Sequence, residues 1–163
     1  MNILVLCTGN SARSIIGEVL LRDLGGGRIV SHSAGSQPKG VPHPAALTLL
    51  AERGHSIEGL ASKSWDSFTG PDAPTIDVAI TVCDNAAGES CPIFPGAPVK
   101  AHWGIADPAA VEGDGQRAAF ERGYQQLMAR VEALLALPFE TMDRVALAAE
   151  LARIGLLSGA THG

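Results

Sequence analysis

Short apolar runs and longer amphipathic stretches alternate along most of the chain. Residues 2–6 (NILVL) and 75–82 (TIDVAITV) are too short for core helices and are typical of buried parallel strands. Residues 28–33 (RIVSHS) and 99–102 (VKAH) are also predicted to form strands. The pattern therefore predicts four strands, the first of which begins next to the first residue.

Apolar residues recur at helical spacing between these runs and after the last of them. They predict helices at residues 15–24, 43–53, 116–137 and 141–157, and a shorter one at 64–69. Strands and helices alternate in chain order, which is typical of an α/β fold in which a parallel sheet is covered on both faces. The last four residues, 160–163, are expected to be frayed.

The composition narrows the possible functions. The 163 residues are typical of a single domain, and 12 basic against 17 acidic side chains give a net charge of -5. This charge argues against a general binder of nucleic acid or anionic membranes, so any anion site must be local. No apolar run reaches the roughly 18 residues of a membrane span, so we expect a soluble cytoplasmic protein. Three cysteines in such a protein favour a catalytic or redox role.

A C-x5-R arrangement lies between the first strand and the first helix. Its residues are Cys7, Thr8, Gly9, Asn10, Ser11, Ala12 and Arg13. The backbone N–H groups of such a loop and the helix amino terminus favour a bound tetrahedral oxyanion, and Arg13 can donate to two of its oxygens. The same field is expected to lower the pKa of Cys7 and make it a thiolate nucleophile. A buried cysteine beside a surface arginine is the structural alternative, which the strand–loop–helix context disfavours.

The second cysteine, Cys83, directly follows the apolar run 75–82. Because the carboxyl ends of parallel strands lie at one edge of a sheet, Cys83 can come near Cys7. Cys91 lies eight residues further on. In a helix the two Cα atoms would be ~12 Å apart, whereas a disulfide needs them within ~7 Å, so a bond between Cys83 and Cys91 would require an unwound segment.

Two other interpretations of these cysteines stay open at this point. Both could be buried packing residues. A zinc site with His43 and His102 is the second alternative, although C-x7-C is wider than the usual spacing of zinc ligands. We therefore predict no metal site.

Four stretches of the sequence are similar to motifs of a known family. They are CTGNSARS at 7–14, SAGSQPKG at 33–40, VCDNAAGESCP at 82–92 and HWGIADPA at 102–109. Over residues 2 to about 137, the chain resembles the low-molecular-weight protein tyrosine phosphatases and the arsenate reductases built on the same fold. The resemblance implies a three-layer sandwich with a four-stranded parallel sheet. It implies a domain at residues 1–138 and an additional helical segment, 139–163, packed on it or at a dimer contact.

The resemblance also implies a general acid, Asp107, in the Asp107-Pro108 pair. An oxyanion leaving group departs poorly unless it is protonated, and a plain Asp-Pro turn is the structural alternative. Phosphatases of this fold usually carry tyrosines just after the aspartate. Here Ala109 and Ala110 follow Pro108, and the only tyrosine is Tyr124. This departure favours a reductase of a small oxyanion over a phosphatase.

The reaction implied by the resemblance is the reduction of arsenate to arsenite. Cys7 attacks arsenate held by Arg13, Cys83 then attacks Cys7, and Cys91 attacks Cys83 to leave a Cys83–Cys91 disulfide. Thioredoxin is the expected reductant, with glutaredoxin or glutathione as alternatives, and no cofactor is expected. Phosphate and sulfate should compete with arsenate. A phosphatase for phosphotyrosine or small phosphate esters is the second hypothesis, and a sensor without catalysis is the third.

Four supporting residues are assigned from the same resemblance. Asn10 is expected to hold the loop shape and Ser14 to hydrogen-bond Cys7. Some reductases of the family bind potassium near the loop asparagine and a helix glutamate, which here are Asn10 and Glu18. Residues 62–64 place Lys63 where an acid is expected. We therefore predict that the Lys63 ammonium replaces the ion, with a solvated lysine as the alternative.

Overall fold

A four-stranded parallel sheet organises the computed structural model, which describes residues 1–84, 86, 94–96 and 98–161. The strands are β1 (Asn2–Leu6), β2 (Val30–Ala34), β3 (Val78–Thr81) and β4 (Val99–His102), in the spatial order β2-β1-β3-β4. All three pairings are parallel. The predicted parallel sheet is confirmed, and the carboxyl ends of β1 and β3 lie side by side.

Four α-helices flank this sheet in the described part of the chain. They are α1 (Arg13–Gly25), α2 (Pro44–Glu52), α3 (Gln116–Leu135) and α4 (Arg144–Gly155), and a short 3₁₀ turn covers Trp65–Phe68. The helices agree with the predicted ones except at their ends. For example, α4 starts at Arg144 and not at residue 141, because the Asp143 carboxylate caps it by accepting from the Ala146 N–H. None of these helices is both long and apolar enough to cross a bilayer.

Alternate residues of β1 bury both faces of the sheet. Ile3 and Val5 belong to the main core, which also contains buried residues of all four helices. Leu4 and Leu6 belong to a second cluster on the other face, with Phe68 and other residues around it. Since both faces of the sheet are covered at its two central strands, β1 and β3 carry nearly continuous apolar runs, which explains why their positions were readable from the sequence.

The helix α4 completes the main core next to β4. Leu151 and Ile154 are fully buried there, and the Trp103 Nε1–H donates to the Leu151 carbonyl oxygen (3.0 Å). Beyond the helix, the buried guanidinium of Arg130 donates to the carbonyl oxygens of Leu157 and Ser158. These contacts fix the chain that follows α4 above the carboxyl end of β4.

Candidate active site

The loop 7–13 leaves β1 at its carboxyl end and passes directly into α1. Asn10 is fully buried and has a positive φ of 43°, which side chains other than glycine rarely adopt. Its side chain holds this conformation, because Nδ2 donates to Ser14 Oγ (2.8 Å) and Oδ1 accepts from the Lys63 N–H (2.7 Å). The Ser14 hydroxyl therefore pairs with Asn10, and the predicted hydrogen bond to Cys7 is not made among the described contacts.

A segment after β2 holds the loop from its outer side. The backbone N–H groups of Gln37, Lys39 and His43 donate to the carbonyl oxygens of Thr8 (2.9 Å), Gly9 (3.0 Å) and Ser11 (2.8 Å), in that order. The loop carbonyls are thus engaged outward. The inner side of the loop is left with the positive ends of its peptide dipoles, which is an anion-binding arrangement.

Gly35 allows this close approach. A Cβ atom at this position would overlap the carbonyl oxygens of Cys7 and Thr8. Gly35 also pairs with the chain beside it, since its N–H donates to Lys63 O and its carbonyl accepts from the Trp65 N–H (both 2.9 Å). The absence of a side chain at Gly35 therefore lets three stretches of backbone meet behind the loop.

A cavity of about 240 Å³ opens on the inner side of the loop. All seven loop residues line it. Five residues from other parts of the chain complete the lining: Gln37, Lys39, Cys83, Asp107 and Ala109. The structure thus brings together the predicted oxyanion loop, the second cysteine and the predicted general acid. It adds Gln37 and Lys39, which the sequence analysis did not identify.

The guanidinium of Arg13 is oriented by the loop that carries Asp107. Its Nη1 donates to the Ile105 carbonyl oxygen (2.8 Å), and its Nη2 lies 3.7 Å from Asp107 Oδ2. Its Nε is buried and has no hydrogen-bond partner among the described atoms. Arg13 therefore keeps a buried N–H donor available at the wall of an anion-sized cavity.

Asp107 lies at the mouth of the cavity. Its Oδ1 accepts from the Ala109 N–H (3.0 Å) and caps the 3₁₀ turn Pro108–Ala110, while Oδ2 faces Arg13. The side chain is 41% exposed, so it can exchange protons with solvent. This placement agrees with the position required of a proton donor to a leaving oxygen.

Cys83 contacts both Cys7 and the loop, as the strand order predicted. Its Sγ accepts from the N–H groups of Thr8 and Ala86, each at 3.4 Å, and it lines the same cavity as Cys7. The neighbouring Cys7 thiol, which is the largest cause, and these contacts lower the pKa of Cys83 to about 5.

The loop is predicted to lower the pKa of Cys7. In the structure the neighbouring Cys83 thiol and burial act in the opposite direction and raise the pKa of Cys7. The positive charge of Arg13 opposes this and does not outweigh it. The sequence could show the loop and its arginine, but not that a second sulfur would receive the hydrogen bonds that stabilise a thiolate.

The residue after Cys83 is anchored by the far end of the chain. Asp84 Oδ1 is hydrogen bonded to His102 Nε2 and to the Thr161 hydroxyl, each at 2.9 Å, and His102 Nδ1 is hydrogen bonded to Thr81. Both ring nitrogens of His102 are therefore hydrogen bonded, and the His43 side chain caps α2 by accepting from the Ala45 N–H. In the described ranges no cluster of three metal-ligating side chains occurs. Cys91 and most of its predicted redox segment lie outside the described residues.

Glu18 and Lys63 meet behind the loop. The Glu18 carboxylate accepts a hydrogen bond from the Ser33 hydroxyl, and its Oε1 lies 3.9 Å from Lys63 Nζ. The Lys63 ammonium also donates to the Ala61 carbonyl oxygen (2.9 Å). These groups do not fit a bound potassium ion, because the asparagine oxygen of the loop already accepts from the Lys63 N–H and a positive charge lies beside the glutamate.

A strand–loop–helix unit of this kind, with a cysteine and an arginine facing one cavity, defines a cysteine-dependent oxyanion-binding protein of the phosphatase type. The family model described as low molecular weight phosphotyrosine protein phosphatase matches residues 2–146. The chain therefore belongs to this family, as the resemblance in its motifs indicated.

Arsenate reductases are prominent among its relatives. The arsenate reductase of Bacillus licheniformis is 33% identical over 130 residues, which are 78% of this chain and 89% of that protein. A solved arsenate reductase in the phosphate binding state is 30% identical, with a TM-score of 0.65 over 83% of this chain and 96% of that one. A Corynebacterium glutamicum thioredoxin-dependent arsenate reductase is 26% identical, with a TM-score of 0.60 over 83% of this chain and 60% of that one.

The distribution of the proton between the two thiols can be measured by alkylation. In the Cys91→Ser variant, the rate of Cys83 modification by iodoacetamide should stay nearly constant between about pH 6 and pH 8 and fall below about pH 5, where the thiolate is protonated. Cys7 should react more slowly throughout this range. Peptide mass spectrometry of initial products gives both rates. In a Cys7→Ala, Cys91→Ser variant the pH midpoint of Cys83 modification should rise, because the interaction with Cys7 that lowers the pKa of Cys83 is lost.

Faster modification of Cys7 than of Cys83, with a midpoint below pH 7, would contradict the lower pKa of Cys83.

Proposed function

We propose that this protein reduces arsenate to arsenite, with Cys7 as the nucleophile. The observation that carries the proposal is the second thiol, Cys83, which lines the same oxyanion-sized cavity as Cys7. Hydrolysis of a phosphate ester needs one cysteine, whereas reduction of arsenic(V) needs two electrons and therefore two thiols. The names of the relatives support the same activity.

The binding step uses the loop and Arg13. Arsenate is a tetrahedral oxyanion of the size that the loop dipoles favour, and a cavity of about 240 Å³ accommodates it. The Nε–H of Arg13, which has no partner among the described residues, and the N–H groups of the loop supply donors to its oxygens. Phosphate and sulfate have the same shape, so both are expected to compete.

In the first chemical step, a Cys7–arsenic bond forms and an arsenic–oxygen bond breaks. The Cys7 proton passes to the neighbouring Cys83 sulfur, which accepts hydrogen bonds from the N–H groups of Thr8 and Ala86. Asp107 gives a proton to the oxygen that leaves, and water is the product. General acid catalysis of this kind contributes about 10²–10⁴-fold to a rate.

In the second step, Cys83 loses its proton to solvent and attacks the Cys7 sulfur. A Cys7–Cys83 bond forms and the sulfur–arsenic bond breaks with its electron pair staying on arsenic, which leaves as arsenite. Cys91 then attacks Cys83, so that a Cys83–Cys91 disulfide forms and Cys7 is released as a thiolate. Each exchange is an attack of a thiolate on a neighbouring sulfur.

Thioredoxin is the proposed reductant of the final disulfide. The thioredoxin-dependent enzyme among the structural relatives supports this choice, and glutaredoxin with glutathione is the alternative. Free thiols that turn over in this way require a reducing compartment, which places the proposed activity in the cytoplasm.

Among the described residues, no aromatic side chain lines the cavity at the acid loop to receive a phosphotyrosine ring. Ala109 follows Pro108 at the cavity, and Tyr124 is buried with its hydroxyl hydrogen bonded to His55 (2.7 Å). A small oxyanion needs no such wall. This argues for arsenate over an aryl phosphate as the substrate, although the shared loop should leave some hydrolysis of aryl phosphates.

Reduction of arsenate can be followed as NADPH oxidation in the presence of thioredoxin and thioredoxin reductase. Wild type should turn over, whereas Cys91→Ser should release at most one equivalent of arsenite, because Cys7 stays trapped in its bond to Cys83. Hydrolysis of an aryl phosphate by Cys91→Ser should be unchanged, which shows that its loop is intact. Turnover only with glutaredoxin and glutathione would show that these, and not thioredoxin, are the reductants. No arsenate reduction with either system, together with strong hydrolysis of an aryl phosphate, would reject the reductase function.

Replacement of the general acid should separate chemistry from binding. Asp107→Asn should lower the single-turnover rate of arsenite release by about 10²–10⁴-fold, since the departing oxygen is no longer protonated. Inhibition by phosphate should change less than about threefold, because one rim contact with Arg13 is altered. Asp114→Asn, an exposed acid in the same loop region, is the matched control. An unchanged rate in Asp107→Asn would favour a sensor that binds without catalysis.

We also propose that Lys63 supplies the positive charge beside Glu18, in place of a potassium ion. Wild-type kcat/KM for arsenate should then be equal in sodium and potassium salts. Lys63→Met should lower it by about three- to tenfold, because the Glu18 carboxylate behind the loop loses its partner. Lys100→Met, an exposed lysine on β4, should have no effect. A wild-type enzyme activated by potassium would show that the lysine is merely solvated.

A further inference from the structure

The segment after β2 brings one more positive charge to the cavity. Gln37 and Lys39 are two residues apart, their N–H groups donate to the carbonyl oxygens of Thr8 and Gly9, and both residues line the cavity. Neither residue belongs to the C-x5-R loop or to the three-cysteine relay.

The aliphatic stem of Lys39 lies across the loop at Gly9. A Cβ atom at Gly9 would be 3.2 Å from Lys39 Cε and 3.4 Å from its Cγ. The stem is therefore in van der Waals range of the loop backbone along its length, while the residue as a whole is exposed. This packing keeps the ammonium at the rim of the cavity without burying it.

The charge of Lys39 is unpaired among the residues that the structure describes. Arg13 lies near Asp107 and Lys63 near Glu18, whereas no described carboxylate lies within ion-pair distance of the Lys39 ammonium. In a chain of net charge -5, a cation held at a cavity and lacking a protein partner is available to a ligand.

We propose that Lys39 is a binding residue for the substrate oxyanion and that it selects dianions over monoanions. The proposal rests on the arsenate reductase function above. Inside the cavity, the Arg13 guanidinium already faces a carboxylate, since its Nη2 lies 3.7 Å from Asp107 Oδ2. A doubly charged oxyanion therefore needs a further cation, which Lys39 supplies from the rim. Because Lys39 lies at the mouth and not beside the thiols, it acts on binding more than on the chemical steps.

The test compares two tetrahedral ions of different charge, sulfate and perrhenate, at one pH above neutrality. Their dissociation constants are measured by calorimetry for wild type, Lys39→Met, Lys39→Arg and the control Lys100→Met. Methionine keeps the packing on Gly9 and removes only the charge. Lys39→Met should bind sulfate about three- to tenfold more weakly and perrhenate within about twofold, Lys39→Arg should restore sulfate binding, and Lys100→Met should equal wild type.

Turnover separates this proposal from the reductase function. In the thioredoxin-coupled assay, Lys39→Met should raise the KM for arsenate about three- to tenfold and leave kcat within about twofold. Equal sulfate affinities in Lys39→Met and wild type would overturn the role of Lys39. An equal loss of sulfate and perrhenate affinity would also overturn it, because it would indicate a distorted loop. A wild type that does not reduce arsenate while Lys39→Met still loses sulfate affinity would reject the reductase and retain Lys39 as an anion-binding residue.

Discussion

The outward hydrogen bonding of the carbonyl oxygens in the loop 7–13 is the constraint on which the site depends. A loop binds an anion only if its peptide N–H groups point toward the same site. Here N–H groups of the segment from Gly35 to His43 donate to three of the loop carbonyl oxygens and so hold them on the other side. That contact requires bare backbone at Gly35. On the inner side, the side chain of Asn10 stabilises the positive φ of its own backbone through a hydrogen bond to Ser14. The cavity exists because both sides of a short loop are held at once.

The pair of thiols gives this oxyanion site its redox character. Cys7 and Cys83 end adjacent parallel strands, so sheet topology alone places them together. The N–H groups of Thr8 and Ala86 donate to Cys83 Sγ and stabilise a negative charge on it. Arg13 lines the same cavity and stabilises the charge on Cys7 during the proposed attack.

The far end of the chain also reaches the site. Packing of α4 on β4 and the contacts of Arg130 beyond it bring Thr161 to Asp84, directly after Cys83. His102, at the end of β4, binds the same carboxylate oxygen. Three elements that are distant in sequence therefore meet at the start of the segment that carries the proposed relay, and α4 is part of the support of the site.

The sequence by itself determined the local features. Apolar periodicity located the strands and helices, because both faces of the sheet are buried, and the C-x5-R spacing identified Cys7 and Arg13. The Asp-Pro pair and the cysteine after β3 were also readable, since each depends on its neighbours in the chain. Helix ends differed by a few residues, because caps such as Asp143 decide them. Tertiary structure alone decided the hydrogen bonds of Cys83, the partner of Ser14 and the position of Lys39. Each of these depends on contacts between residues far apart in sequence, and no local pattern encodes the distance between them.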